Sequence, residues 1–160
     1  MKRKNNKGFT LVELVVVIAI IGVLAAILVP TLMHYVKKAK LKSANLNAKV
    51  LYNEMNVAIA DIVDNTATTV NDCTSAVDCS VDDPNDLLRH TIYMVMKNNS
   101  SDQMGYACWR TGLNTNEIRL MQWCSNEIPG AGDFIGQYPD PINDVENLPS
   151  DFTWGRKMIG

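Results

Sequence analysis

A chain of 160 residues holds about one domain, and its 47% apolar and 20% charged residues exclude a disordered chain, a multi-pass membrane protein and a large multidomain enzyme. Charge is divided unevenly: residues 1–49 carry nine Lys/Arg and one acid, a balance of +8, whereas residues 50–160 carry six and sixteen, a balance of −10. A basic, apolar front end thus precedes an acidic remainder, the pattern of a membrane-associated segment followed by a soluble part, and the acidic part disfavours nucleic acid as a partner.

Lys2, Arg3, Lys4 and Lys7 open the chain, which turns apolar at Phe9 and, apart from Thr10 and Glu13, stays so through Val29. The 28 residues from Phe9 to Val36 exceed the about 20 that a helix needs to cross a bilayer. A secretory signal peptide would end in a small-x-small cleavage site; here the apolar run continues through Leu28 and Val29 to Pro30 without one. The basic leader favours a cytoplasmic N-terminus, although Lys37, Lys38, Lys40 and Lys42 beyond the run nearly balance it. Glu13 is the anomaly, because an ionised carboxylate in a membrane core costs about 2.5–3.5 kcal/mol and needs a partner. Lys7 is one candidate; snorkelling to the water interface is another way out.

The run Lys7-Gly8-Phe9-Thr10-Leu11-Val12-Glu13, followed at once by the apolar stretch, resembles the prepilin signal of the type IV pilin and pseudopilin superfamily. The resemblance implies cleavage between Gly8 and Phe9 by a membrane-embedded prepilin peptidase and N-methylation of Phe9. It also implies an assembly role for Glu13, which would meet the new terminal amine of an adjoining subunit. By the same resemblance, Gly22 and Pro30 bound a stretch able to unwind in a filament. Read on their own, both are residues that membrane helices tolerate, and Pro30 should kink the helix by removing a backbone hydrogen bond at a cost of about 3 kcal/mol.

Past the lysines, Leu41, Ala44, Ala48, Leu51, Met55, Ala58 and Ile62 recur at spacings of three and four, which predicts a helix with a narrow apolar seam. Three alanines and few flanking charge pairs make a weak coiled coil, so the seam is expected to pack on its own domain. A helix from Phe9 to Asp64 would measure about 84 Å at 1.5 Å per residue, too long for a core of this chain to enclose. Its first half must therefore lie in lipid or among identical first halves. Asn65-Thr66-Ala67-Thr68-Thr69 ends the pattern.

The head that follows holds Cys73, Cys79, Cys108 and Cys124. With no Cys-x-x-Cys pair and histidines only at His34 and His90, zinc is not expected, and an even cysteine count on the exported side favours two disulfides. Three pairings are possible; the shortest loops favour Cys73–Cys79 with Cys108–Cys124. Asp83-Pro84 followed by Leu87, Leu88, Ile92, Val95 and Met96 predicts an N-capped helix ending near Asn98-Asn99. Met104–Arg110 and Glu117–Cys124 read as a hairpin, with a further strand at Phe134–Tyr138 among loops. Alternation places Trp109 on the strand face opposite Tyr106; these rings, with Trp123, Tyr138 and Trp154, are expected mostly to fill the interior.

No catalytic motif appears, and disulfides account for the cysteines more simply than nucleophilic catalysis. Asp140, Asp144 and Glu146 are weak calcium candidates, because pseudopilins often hold calcium there; a solvated acidic loop is the simpler reading. The expected fold is α+β, with a leader at 1–8, a hydrophobic transmembrane half-helix at 9–36, an amphipathic half at 37–64 and a head at 65–160 whose antiparallel sheet packs on the second half-helix. The expected function is that of a non-enzymatic, cofactor-free prepilin. It starts single-pass in the cytoplasmic membrane with its head outside, and then forms a surface or periplasmic filament with identical or related subunits. A platform protein and an extension ATPase are implied partners. A pseudopilin of a type II secretion or DNA-uptake machine is the alternative, and a membrane-anchored adhesin is the alternative of another class.

Overall fold

The computed structural model describes residues 8–65, 70–73, 75–99, 104–112, 116–130, 132–143 and 152–158. It divides into two compact units, Met1–Lys37 and Lys38–Gly160. One helix, α1 (Leu11–Asn65), passes through both, within two residues of the expected bounds. It continues through Pro30, where the carbonyl of Ala26 loses its usual donor and the Thr31 hydroxyl donates to the Ile27 carbonyl at 3.1 Å. Within the first unit, the large apolar side chains from Phe9 to Val36 are exposed, and the segment is long and apolar enough to cross a membrane.

In the second unit, Leu41, Ala44, Ala48, Leu51, Met55 and Ala58 are all buried, as the seam requires, with Ile59 beside them; the side chain of Ile62 lies outside the described residues. Onto this seam packs a four-stranded antiparallel sheet in the order β1 (Val77–Asp78), β2 (Tyr106–Thr111), β3 (Ile118–Cys124), β4 (Gly136–Tyr138). The register aligns Val77, Ala107, Trp123 and Gly136 across the sheet, so these share one face with Trp109 and Met121. That face supplies most of the core with α1. Gly136 is the point of closest approach: a methyl group there would lie 1.8 Å from the Ala44 carbonyl oxygen. Two asparagines from the polar side of the helix extend the contact. Asn45 accepts from the Gln137 backbone N–H at 2.9 Å and donates to the Ile142 carbonyl, and Asn56 accepts from the Ile118 N–H at 2.8 Å.

The opposite face is also covered. Residues 152–158, which carry no strand signal, lie across it and are held by two fully buried amides. Gln122 donates to the Arg156 carbonyl and to Gln137 Oε1, and accepts from the Gly155 N–H. Gln137 donates to the Asp140 and Met158 carbonyls and accepts from the Met158 N–H. With both faces covered, β3 is buried at every position but Arg119. The second helix, α2 (Leu87–Asn99), buries Ile92 and Met96. Its cap differs from the expected one: Asp86, not Asp83, accepts from the N–H groups of Leu88 and Arg89, while Asp83 closes the preceding turn through Asn85.

Candidate assembly site

The first unit gathers the residues singled out from the sequence into one short stretch. Gly8 meets nothing within 4 Å of where a Cβ would stand, and Phe9 is 83% exposed, so the Gly8–Phe9 bond is open to an incoming protein. Immediately after it, Thr10 caps α1. The backbone N–H and hydroxyl of Thr10 both donate to Glu13 Oε2, at 2.9 and 2.6 Å, and the Glu13 N–H donates back to Thr10 Oγ1 at 3.3 Å. This is a reciprocal capping box, in which a Thr-x-x-Glu spacing satisfies two orphan donors of the first turn. Thr10 is therefore a site residue that the sequence reading passed over, although the Thr10-x-x-Glu13 spacing before an apolar run is its signature. No bond to Glu13 Oε1 is among those found in the described residues. The carboxylate also sits at the positive end of the helix dipole. Lys7, the other sequence-derived partner, lies outside the described residues.

A family model described as the prokaryotic N-terminal methylation motif matches residues 3–29, which contain this whole arrangement. The N-terminal segment is that of the type IV pilin and pseudopilin superfamily. Among similar proteins is the type IV major pilin PilA of Myxococcus xanthus, 49% identical over 48 residues that make up 30% of this chain and 22% of that protein. The type IV wide pilus major component PilA4 of Thermus thermophilus is 50% identical over 54 residues, 32% of this chain and 41% of its own. The type II secretion system core protein G of Pseudomonas aeruginosa is 41% identical over 51 residues, 32% and 36% of the two chains. The chain thus spans well under half the length of these pilin and pseudopilin relatives. No solved structure matches it.

Further along this pilin-like chain, Gly22 has open space where a Cβ would stand, so close packing within one subunit does not require a glycine there. In the head, the expected cysteine pairing is not the arrangement found. The backbone N–H groups of Cys73 and Cys79 bond to the Trp109 and Gly105 carbonyls, four residues apart on one chain stretch, which sets them roughly 13 Å apart. Cys108 and Cys124 face Gln122 and Tyr106, two residues out of step, a diagonal of about 7–8 Å. Of the calcium candidates, Asp140 pairs with Lys157, while Asp144 and Glu146 lie outside the described residues. Among the described residues, no group of three or more His, Cys, Asp or Glu could hold a metal.

Aromatic placement follows the strand alternation: Trp109 and Trp123 are buried toward α1, whereas Trp154 is only half-buried and donates to the Glu127 carbonyl. A groove of about 410 Å³ runs beside α1 in the second unit, lined by Leu41, Tyr138 and Ile142 together with Lys38, Lys42 and Lys49.

The head's main polar knot is at Asp72. It accepts from the Thr111 backbone N–H at 2.7 Å, the Thr111 hydroxyl and Arg110 Nη1, and Arg110 Nε donates in turn to the Gly155 carbonyl. The Thr111 N–H, helped by Arg110, holds the Asp72 carboxyl below its ordinary range. A depressed carboxylate stabilises the fold above its unfolded value, about 3.9, and that contribution is lost as pH falls through the lower folded value. Thermal melts of the wild type should therefore fall between those two pH values more steeply than those of Asp72→Asn, and parallel curves would remove this role from Asp72.

Proposed function

We propose that the chain is a prepilin, cut between Gly8 and Phe9 and N-methylated at Phe9, which polymerises through the apolar half of α1. One observation carries the reading: an accessible Gly8–Phe9 bond is followed by a carboxylate fixed at the first turn of an otherwise apolar, fully exposed helix segment. Such a surface is at ease in lipid or among copies of itself. Lipid tails are as apolar as the side chains, so close packing and buried polar pairs must drive the exchange of lipid for neighbours. Glu13 is the one acid in that segment. Cleavage creates a cationic α-amine at Phe9, and a Glu13 carboxylate on a neighbouring subunit neutralises it. Before cleavage this amine does not exist, so the uncut chain waits in the cytoplasmic membrane with its N-terminus inside and its head outside. Prepilin peptidase, platform protein and extension ATPase are the partners this scheme requires.

Intact-mass measurement of the membrane form tests it. The expected mass lacks residues 1–8 and carries one added methyl group; a functional mature chain that keeps Met1 overturns the reading. The likeness to a type II secretion core protein favours one second reading, a pseudopilin with the same front end. Electron microscopy separates the two: long surface fibres containing the chain indicate a pilin, and lost secretion without fibres indicates a pseudopilin.

A further inference from the structure

We infer that Cys73 and Cys108 close into a disulfide when the chain meets a disulfide oxidant, and that Cys79 and Cys124 remain thiols. Cys73 lies beside β2, its backbone N–H donating to the Trp109 carbonyl at 3.0 Å. The Cys108 sulfur donates to the Cys73 carbonyl at 3.0 Å, and the two sulfurs are within hydrogen-bonding reach of each other. Cys73 is thus bonded beside Trp109, the residue next to Cys108, and the Cys108 sulfur already reaches the Cys73 backbone, the neighbourhood a bridge requires. The other two cysteines have no such neighbour. Cys79 bonds to Gly105 on one side of the β2 stretch and Cys124 pairs with Tyr106 on the other, so two strand spacings, about 10 Å, separate them. A bridge tolerates no more than about 7 Å between Cα atoms.

Reactivity runs the same way. Cys73 and Cys108 are both buried, Cys73 less completely, so oxidant access favours Cys73. Its hydrogen bond with Cys108 draws the Cys73 thiol below its ordinary range, which makes it the better nucleophile of the pair. Burial pushes Cys79 up to about 12 and Cys124 upward as well, which keeps both as weakly nucleophilic thiols. In the reaction, the Cys73 thiolate attacks a disulfide such as oxidised glutathione, forming a mixed disulfide and releasing one glutathione thiolate. The Cys108 sulfur then gives up its proton, attacks the Cys73 sulfur and expels the second glutathione. The two protons leave on the two glutathione molecules, and the two electrons reduce the oxidant. The closed ring would enclose β1 and α2 and pin the stretch after α1 to the sheet next to the Asp72 knot.

The test uses the purified full chain equilibrated with oxidised and reduced glutathione, denatured without reductant and alkylated with iodoacetamide, then reduced and labelled with N-ethylmaleimide. Peptide mass mapping should place iodoacetamide on Cys79 and Cys124 and N-ethylmaleimide on Cys73 and Cys108. Cys108→Ala should leave iodoacetamide on Cys79 and Cys124 and trap Cys73 as a mixed disulfide with glutathione, and Cys124→Ser should keep the bridge. In the wild-type chain, four iodoacetamide-labelled cysteines, a bridge between any other pair, or a stable glutathione adduct overturns the inference. The outcome does not depend on filament assembly, so it stands apart from the test of the prepilin reading.

Discussion

Glu13→Gln and Glu13→Ala should both be cut after Gly8 and both fail to enter filaments, with incorporation down by about two to four orders of magnitude. The magnitude follows from leaving a buried cation without its anion, which costs about 3–5 kcal/mol. Using the two variants together separates charge from helix capping. Glutamine at this position can still accept from the Thr10 N–H and hydroxyl and so preserves the capping box, whereas alanine loses it at a cost of about 1 kcal/mol. If Glu13 merely starts the helix, the glutamine variant behaves like the wild type and only the alanine variant suffers. If its charge meets the Phe9 amine of a neighbour, both fail alike. Sheared surface filaments, probed for the subunit beside intact mass of the membrane pool, give both readouts in one preparation. Normal incorporation of both variants would refute the charge pair.

The second large effect belongs to the head. Gly136→Ala should destabilise it by about 3 kcal/mol, the upper end of what overpacking costs, and lower its melting temperature by about 12 °C or more. A methyl group there would meet the Ala44 carbonyl oxygen at 1.8 Å, its carbon at 2.0 Å and the Asn45 nitrogen at 2.5 Å. All three are helix backbone, so no rotamer change relieves the clash, and sheet and helix must separate along β4. Separation would also pull Asn45 from its bonds to Gln137 and Ile142. Gly22→Ala is the control: its Cβ meets nothing within 4 Å, and the head's melt should not move. An unchanged melt for Gly136→Ala would show that β4 does not sit against α1 as described.

What the sequence made legible was local and periodic. The apolar run and the three-four seam gave α1 nearly to its ends, because each depends only on neighbours one turn away. The β2–β3 hairpin came through for the same reason, with its ends shifted by one or two residues. The candidate site is legible from Gly8 to Glu13 because it is a linear stretch, and the Thr10-x-x-Glu13 spacing that caps the helix lies within it. Features set by tertiary contact stayed hidden. β1 is two residues long and has no pattern to show. β3 lost its alternation because residues 152–158 cover its outer face, and Gln122 and Gln137, polar in the sequence, are buried to hold that cover. The cysteines were paired by loop length, whereas strand register decides which sulfurs meet.

The two glutamines carry an implication for the order in which the head matures. Their amides find partners in residues 152–158, which come after all four strands in the chain. A head drawn outward across a membrane from its α1 end would expose β2, β3 and β4 with Gln122 and Gln137 hydrated until that stretch emerged. The sheet would then be completed only when that stretch had crossed, and until then would stand open to chaperones and to neighbouring strands.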